Sequence, residues 1–218
     1  MCGRVTLTKT GIRGLAAELD AELSSEDELL FRPRYNVAPS DVHWMVEARG
    51  DARVLLPAVW GYPTSTRSLV NVRGEQVASG AGFREAFRAR RCAVVTDGFF
   101  EWNAKREPFW FHREDGGLVL LAGLYHAGAE AQRPRFTVLT TRPNHLMTPI
   151  HDRMPVVLAK DALDDWLTAP ATRAAQLIAP AADDALVVQA VSKRVNSVKH
   201  DDPACLAAPE APRQGSLF

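Results

Sequence analysis

The order of apolar and polar positions along the chain predicts many strands and a few short helices. Apolar residues recur at helical spacing over residues 12–23, and shorter helical patterns cover 83–91, 161–167 and 171–178. Strands are predicted where apolar runs end at turn-forming residues, over 54–60, 92–96, 99–103, 109–111, 118–124, 136–141, 154–158 and 186–191. Because these strands come in runs instead of alternating with helices, we predict an α+β fold.

Turn-forming residues predict how these segments are connected. Residues 35–40 are predicted to form a loop, because Pro39 interrupts strand pairing. Asp115-Gly116-Gly117 is predicted to be the turn of a hairpin that joins residues 109–111 to 118–124. From Asp201 onward the chain is rich in proline, alanine and polar residues, which indicates a flexible tail. We therefore expect one domain over residues 2–200 and a tail over 201–218.

Composition limits the class of protein. The chain has 218 residues, of which 46% are hydrophobic and 24% are charged, which is typical of one globular domain with a substantial core. The formal net charge is zero, so binding to phosphates would need a local cluster of basic residues. No run of residues has the length and apolar character of a signal peptide or a membrane-spanning helix. We expect a cytoplasmic protein that does not associate with membranes.

The three cysteines, Cys2, Cys92 and Cys205, are widely separated. Their odd number and the lack of CxxC spacing argue against a disulfide framework and against a metal site. Cys2 is distinctive because Met1 can be trimmed before a small residue, which would leave cysteine at the amino terminus. Its α-amine and thiol would both be nucleophilic near neutral pH, and together they would capture an aldehyde as a thiazolidine. The alternative is that Cys2 is a small buried residue.

Glu101 and His151 have the best setting for proton transfer. Glu101 lies among aromatic residues on a predicted strand, where it shares a face with Phe99 and Asn103. Apolar surroundings should raise its pKa, which suits a proton shuttle. His151 lies in a proline-flanked loop and is followed by an acid and a base, a frequent setting for catalytic groups. The alternatives are a surface glutamate and a structural histidine.

Two asparagines and several arginines are candidates for binding. Asn36 and Asn71 lie at loop or strand ends, where asparagine caps turns but can also orient a substrate. Arg4, Arg73 and Arg153 each lie within two residues of a candidate catalytic position, where a guanidinium group can hold phosphate oxygens or remain a solvated charge. A further basic run is predicted to be the exposed face of a short helix: Arg84, Arg88, Arg90 and Arg91.

Eight short motifs follow one another over about residues 2–197. They are Met1-Cys2-Gly3-Arg4, Tyr35-Asn36-Val37-Ala38-Pro39, Trp60-Gly61, Asn71-Val72-Arg73, Arg91-Cys92, Asp97-Gly98-Phe99-Phe100-Glu101-Trp102, Thr140-Thr141-Arg142-Pro143-Asn144 and His151-Asp152-Arg153-Met154-Pro155. As an ordered set they resemble the SOS-response-associated peptidase (SRAP) family, whose members process abasic sites in DNA. The resemblance implies a single SRAP-type α+β domain, with a barrel-like, mainly antiparallel sheet, flanking helices and a positively charged groove for single-stranded DNA.

The resemblance also implies a role for each matched residue. Cys2 would become covalently attached to the ring-opened sugar of an abasic site, and Asn71 would hold Cys2 and the sugar in place. Glu101 would move protons at the α-amine during Schiff-base formation, and His151 would be the general acid in ring opening. Contacts with DNA would come from Arg4, Asn36, Pro39, Trp60, Arg73, Thr141, Asn144 and Arg153. These steps need a carboxylate and an imidazole, so no cofactor is expected.

The sequence is compatible with three functions. The leading hypothesis is a sensor of abasic sites in single-stranded DNA that forms a covalent thiazolidine crosslink, with lyase-like nicking as a side activity, in the DNA damage or SOS response. The first alternative is a cysteine peptidase or N-terminal-nucleophile hydrolase that uses Cys2 and His151, together with Glu101 or Asn71, and that removes its own Met1. The second alternative is a non-enzymatic adaptor.

The last five residues resemble the clamp-binding peptides of bacterial replication and repair proteins. Gln214, Leu217 and Phe218 match the glutamine, leucine and phenylalanine of that motif. Apolar residues at the end of a polar tail can anchor in a pocket on a partner. An accidental match of so short a motif is the alternative. The expected partners are therefore single-stranded DNA with abasic sites and the replication sliding clamp, with the protein acting as a monomer.

Overall fold

The computed structural model describes residues 2–77, 80, 82–129 and 132–210, and strands are its main elements. In chain order, the strands are β1 Arg4–Leu7, β2 Ala21–Glu22, β3 Arg34–Val37, β4 Val42–Arg49, β5 Ala52–Trp60, β6 Tyr62–Pro63, β7 Ser68–Leu69, β8 Asn71–Arg73, β9 Arg91–Thr96, β10 Gly98–Trp102, β11 Pro108–His112, β12 Val119–His126, β13 Arg135–Thr141, β14 Met154–Pro155, β15 Val157–Leu158 and β16 Val187–Ala190.

The helices are all short. The α-helices are α1 Ile12–Glu18, α2 Ser25–Glu28, α3 Gly74–Val77, α4 Arg84–Ala89, α5 Leu163–Thr168 and α6 Ala171–Ala174. Single 3₁₀ turns cover Lys160–Ala162, Ala175–Leu177, Lys193–Asn196 and Pro203–Leu206. Helices of this length are not stable alone, so packing against the sheets must hold them in place.

The strands form two main sheets. One sheet has the order β16-β11-β10-β1-β3, and every neighbouring pair in it is antiparallel. The larger sheet has the order β14-β13-β12-β9-β4-β5-β2, with β8 and β15 paired to its strands. Because β5 also pairs in parallel with β13, the strands β13, β12, β9, β4 and β5 close into a barrel. The predicted α+β domain, with its barrel-like and mainly antiparallel sheet, is confirmed.

The barrel strands are apolar on both faces, which explains their continuous hydrophobic runs. Successive side chains of a strand point to opposite sides of the sheet. Met45 and Val94 join an apolar cluster with residues of the five-stranded sheet, such as Phe99. Val46 and Val95 instead join a cluster that includes Ile12 of α1, Phe87 of α4 and Trp166 of α5. The barrel therefore lies between the helices and the five-stranded sheet.

Several local predictions differ from the structure at their boundaries, and two of these differences have a clear physical reason. The helix predicted over residues 12–23 ends at Glu18, because Asp20 takes a left-handed φ of 49° and Ala21–Glu22 pairs with β5 as a short strand. Pairing with the sheet edge supplies backbone hydrogen bonds that compete with a longer helix. The loop predicted over 35–40 is a strand up to Val37, since Pro39 lies beyond the part that pairs with β1.

The predicted hairpin of residues 109–111 and 118–124 is wrong. β11 pairs with β10 and β16, whereas β12 pairs with β9, β13 and β15 in the other sheet. A local turn does form, with Gly116 at a φ of 68° that glycine adopts easily. The two strands nevertheless diverge, because each finds longer pairing partners elsewhere.

The prediction that Arg91 lies on an exposed helix face is also wrong. Arg91 begins β9 and is only 4% exposed. Its guanidinium group donates hydrogen bonds to the carbonyls of Phe87, Trp166 and Ala169, at the ends of α4 and α5. The last carbonyls of a helix lack partners within the helix, so a buried cation at this position satisfies two helix ends together.

The tail does not begin at Asp201. The carboxylate of Asp201 accepts hydrogen bonds from the backbone N–H groups of Tyr35 (2.7 Å) and Asn36 (3.0 Å), and it pairs with Arg34. The 3₁₀ turn that follows buries Cys205 completely. These contacts attach the segment to β3, which sequence composition does not reveal. Residues 211–218, with the predicted clamp-binding Gln214, Leu217 and Phe218, lie outside the described residues.

Candidate active site

Cys2 is buried in the apolar cluster between the two sheets. It precedes β1 and packs with neighbours such as Val5, Val37 and Phe99, with no exposed surface. Its carbonyl accepts a 2.7 Å hydrogen bond from Nδ2 of Asn71. Asn71 begins β8, which pairs with β13 of the barrel. The start of the described chain is thereby tied to both sheets, and the expected pairing of Asn71 with Cys2 is present.

Glu101 lies on β10, the strand next to β1, and is 1% exposed. Phe99 shares its face of the strand, while Phe100 points into a separate apolar cluster on the other side. Burial raises the pKa of Glu101 to about 7. Burial, and then the charge of Glu101, raise the pKa of the Cys2 thiol above its usual range. Glu101 and Cys2 therefore lie close enough to influence each other's ionisation.

His151 lies in the loop between β13 and β14, with its side chain 24% exposed. Its Nδ1 is 3.0 Å from the backbone nitrogen of Arg153 and 3.0 Å from Oδ1 of Asp152. Burial lowers the pKa of His151, whereas the charge of Asp152 opposes this shift. The same Asp152 contributes to raising the pKa of Glu101, so this loop lies within electrostatic range of Glu101. The structure thus brings the four predicted catalytic residues to one region.

Three predicted phosphate ligands have different surroundings. Arg73 is exposed and makes no side-chain hydrogen bond or ion pair with the described part of the chain. Arg4 donates to Oδ1 of Asn36 (2.9 Å) and to the carbonyl of Val195 (2.7 Å). Arg153 is held by the carboxylate of Glu75. Of the three guanidinium groups, that of Arg73 is therefore the most available to a ligand.

A groove of about 420 Å³ opens beside Gly3 and Arg4. The guanidinium group of Arg4 lies 5.8 Å from the ring centre of Trp102, a cation–π distance. Trp102 also donates a 2.6 Å hydrogen bond to Asn196. The remaining walls of the groove come from Pro39 and Arg106. An aromatic face with two cations nearby suits a stacked base and its phosphate.

Four residues that the resemblance assigns to DNA make internal contacts in the structure, and their contact with DNA stays a prediction. Trp60 is buried, with its ring stacked on Phe136 at 5.9 Å, so it does not line a surface path. Thr141 is buried where β13 pairs with β14. Asn144 closes its loop by donating to the carbonyl of Ala181 and accepting from the backbone of Met147. Three carbonyls accept hydrogen bonds from the amide of Asn36: those of Val195, Ser197 and His200.

Three residues with a place at the site were absent from the predicted set. Trp102 and Arg106 line the groove, and Glu75 holds Arg153. Side chains alternate along β10, so Trp102 lies on the strand face opposite Glu101, in the apolar cluster of Phe100. Trp102 lines the groove because Pro39, which is distant in the sequence, forms another of its walls. In the sequence, nothing singles out Glu75 apart from its position two residues after Arg73.

Neither a metal cluster nor a membrane span was found in the residues that the structure describes. Within 2–77, 80, 82–129 and 132–210, no three side chains of histidine, cysteine, aspartate or glutamate come together to hold an ion. No helix in those ranges is long and apolar enough to cross a membrane.

The family model described as SOS response associated peptidase (SRAP) matches residues 1–198. This chain belongs to the SRAP family. Among curated relatives, the abasic site processing protein YoaM of Bacillus subtilis is 32% identical to it over 227 residues, covering 95% of this chain and 98% of YoaM. The abasic site processing protein YedK of Escherichia coli is 29% identical over 180 residues, covering 77% and 79% of the two chains. The family predicted from the ordered motifs is confirmed.

Solved structures share the fold of this SRAP protein. A crystal structure of a Bacteroides thetaiotaomicron protein aligns with a TM-score of 0.81 at 20% identity, covering 95% of this chain and 99% of that one. A phage-related protein of Bordetella bronchiseptica aligns with a TM-score of 0.72 at 25% identity, covering 87% and 94%. The arrangement of two sheets around Cys2 is therefore a SRAP fold.

Proposed function

We propose that this protein processes abasic sites in single-stranded DNA by forming a covalent thiazolidine at Cys2 after removal of Met1. The observation that carries the proposal is the pairing of the buried Cys2 with Glu101, whose pKa of about 7 suits proton transfer in both directions near neutral pH. Membership of the SRAP family and the names of YoaM and YedK support the same substrate.

Capture begins with the α-amine of the mature Cys2. An abasic sugar is in equilibrium with an open-chain aldehyde, which the neutral amine attacks to form a carbinolamine. Glu101 accepts a proton from the amine and returns one to the departing hydroxyl, so that an imine and one water are released. Asn71 holds the Cys2 carbonyl during this step, which limits the positions that the amine can take.

The thiol then closes the ring. The sulfur adds to the imine carbon, a C–S bond forms, and the S–H proton moves to the nitrogen, so no oxidant or reductant is needed. The raised pKa of the Cys2 thiol keeps it neutral until that stage, because burial and the charge of Glu101 both disfavour the thiolate.

His151 has the setting of a proton relay for opening the sugar ring. Opening moves a proton from the anomeric hydroxyl to the ring oxygen, and an imidazole can accept one proton and donate another. The ring of His151 is partly exposed, and its loop lies within electrostatic range of Glu101. The groove at Trp102 and the exposed Arg73 would hold the flanking single strand by stacking and by charge.

The peptidase alternative depends on a nucleophilic thiolate. Burial and the nearby carboxylate of Glu101 both work against that form of Cys2. A cysteine peptidase that uses His151 as its base would tolerate a blocked α-amine, whereas an N-terminal-nucleophile hydrolase needs the free amine as its base. A blocked α-amine therefore separates covalent capture from the cysteine peptidase, and cleavage of peptides by the mature protein tests for the hydrolase.

The test is an adduct assay with mature protein and single-stranded DNA that contains one abasic site. We expect a denaturation-resistant adduct for wild-type protein, and none for Cys2→Ser or for a chain extended before Cys2. Cys205→Ser is the matched control, because Cys205 is equally buried but lies in another apolar cluster. Absence of a wild-type adduct, or an adduct that survives Cys2→Ser, would refute covalent capture. Cleavage of a peptide panel by the extended chain would establish the peptidase instead.

A further inference from the structure

A second pocket, here called the β4 pocket, lies where the barrel meets β1 and β3 of the five-stranded sheet. It has a volume of about 230 Å³ and shares no lining residue with the groove at Gly3 and Arg4. Its apolar walls come from strands of both sheets and from the turn after α2: Leu7, Leu30, Val42, Trp44 and Pro57. Pockets for drug-sized ligands usually have about 300–1,000 Å³. The β4 pocket therefore suits one or two side chains of a peptide.

The floor of the β4 pocket is held by the barrel. His43 and Trp44 lie on β4, which pairs with β5 on one side and with β9 on the other. Nε2 of His43 lies 2.8 Å from the carbonyl oxygen of Val95 on β9. Burial lowers the pKa of His43 to about 4, so the imidazole is neutral near pH 7. The floor is formed before any ligand arrives, which reduces the ordering cost of binding.

Apolar side chains are exposed at the mouth of this pocket. Leu30 is 49% exposed and Val42 is 38% exposed, and both line the pocket. Leu29, the neighbour of Leu30, is 86% exposed. The turn that carries them is fixed, because the backbone N–H of Leu30 donates to the carbonyl of Asp27 at 2.9 Å. Single exposed apolar residues are common, but a cluster of them beside a pocket is typical of an interaction site.

The charged residues that line the pocket are all basic within the described part of the chain. They are Arg32, Arg34 and Arg133. Arg34 is paired with Asp41 and Asp201, so its charge is compensated. The side chain of Arg32 is 74% exposed and lies 4.0 Å from Asp201, and Arg133 is also exposed. Cations at the rim of an apolar pocket are complementary to a segment that carries carboxylates next to an apolar side chain.

We propose that the β4 pocket docks an acidic peptide of a partner protein. One large apolar side chain of the peptide would lie against Leu30 and Trp44, and its carboxylates would pair with the arginines of the rim. Single-stranded DNA fits less well, because bases stack on open aromatic faces. Trp44 is 6% exposed and makes an edge contact with Phe31, and the other apolar walls are aliphatic. The proposal is independent of the chemistry at Cys2.

The experiment uses a labelled synthetic peptide of four aspartates followed by leucine and phenylalanine. Fluorescence anisotropy gives its Kd for the full chain at several salt concentrations. Leu30→Ser removes an apolar contact and Arg32→Glu reverses a rim charge. Val198→Ser and Arg88→Glu are the matched controls, since both residues are exposed and neither lines the β4 pocket. Thermal unfolding checks that each variant is folded.

We expect Leu30→Ser and Arg32→Glu each to raise the Kd by about tenfold or more, and the two controls to change it by less than about twofold. The indole ¹⁵N signal of Trp44, assigned with Trp44→Phe, should shift when the peptide is added. A peptide with alanine in place of leucine and phenylalanine should bind much more weakly.

Three results would overturn the proposal. The first is that wild-type protein does not bind the peptide or that the Trp44 signal does not move. The second is an equal loss of affinity in the control variants, which would mean that the peptide is attracted by charge without a defined site. The third is that Leu30→Ser and Arg32→Glu weaken binding to undamaged single-stranded DNA but not to the peptide, which would make the pocket part of the DNA path.

Discussion

Replacing Glu101 by glutamine should make the stability of the variant relative to wild type increase with pH, while impairing the proposed chemistry. Burial raises the pKa of Glu101 from 4.5 to about 7, so the folded protein resists ionisation of this carboxyl group. A raised carboxyl pKa means that the unfolded chain loses the proton first. Stability is therefore lost as pH rises from about 4.5 toward 7, and the loss is complete above 7.

The size of the effect follows from these two pKa values. Each pH unit between the unfolded and the folded pKa costs about 1.4 kcal/mol. Compared with a carboxyl group that stays protonated, the ionisable Glu101 therefore lowers the free energy of unfolding by about 1 kcal/mol at pH 5 and about 3 kcal/mol at pH 8. Glutamine does not titrate, so any fixed effect of the amide is the same at both pH values. The stability of Glu101→Gln relative to wild type should therefore increase by about 2 kcal/mol between pH 5 and pH 8.

Urea unfolding at the two pH values measures this difference directly. The exposed Glu114, changed to glutamine, is the control, and it should show almost no change between pH 5 and pH 8. In parallel, Glu101→Gln should form the DNA adduct at least about tenfold more slowly at pH 8, because the proton shuttle is gone. A relative stability that does not change with pH would refute the raised pKa, and an unchanged rate would refute the shuttle.

Three further predictions concern other parts of the chain. Gly74→Ala should destabilise the protein by about 1–3 kcal/mol, because the added Cβ would clash with Ile178. Gly14→Ala in α1 should instead stabilise it by about 0.5–1 kcal/mol, because the space around Gly14 is open and alanine favours a helix. Thermal unfolding of both variants checks these two values. Arg73→Glu should weaken binding to single-stranded DNA at low salt and reduce its salt dependence, and a result equal to that of Arg88→Glu on α4 would contradict a phosphate contact. Deleting residues 214–218 should abolish binding to a purified sliding clamp without altering adduct formation, and clamp binding by the shortened chain would end that hypothesis.

Cys2, Glu101 and His151 could be chosen as candidates from the sequence because their chemistry is local, whereas the role of Asn71 came from the ordered motifs. Cysteine after an initiator methionine, a carboxylate among aromatics and a histidine in a proline-flanked loop each suggest a reaction without reference to the rest of the chain. The ordered motifs around them then identified the family. Trp60 and Asn144 were assigned to DNA on the same motifs, yet their side chains serve the core and a loop. A motif records which residues occur together, but not whether a side chain points to solvent.

The predicted strands were mostly correct, because apolar runs of four to eight residues have few other uses in a chain of this composition. Their partners were not predictable. The false hairpin of β11 and β12 and the closure of the barrel by β5 and β13 both depend on pairings between distant segments. Pairing depends on which edges remain free after the whole chain has folded, and no local pattern carries that information.

By itself the sequence determined the family, the strand segments and the cysteine at position 2. Only the tertiary structure decided the surroundings of that cysteine and of the candidate catalytic groups. It buries Glu101 beside Cys2, which moves the pKa to about 7, and it holds Cys2 through Asn71 on a strand from the other sheet. It also pairs the guanidinium group of Arg153 with the carboxylate of Glu75, a contact that the sequence does not reveal. Desolvation and hydrogen-bond geometry arise from neighbours that are distant in the chain, so they appear only once the two sheets have packed together.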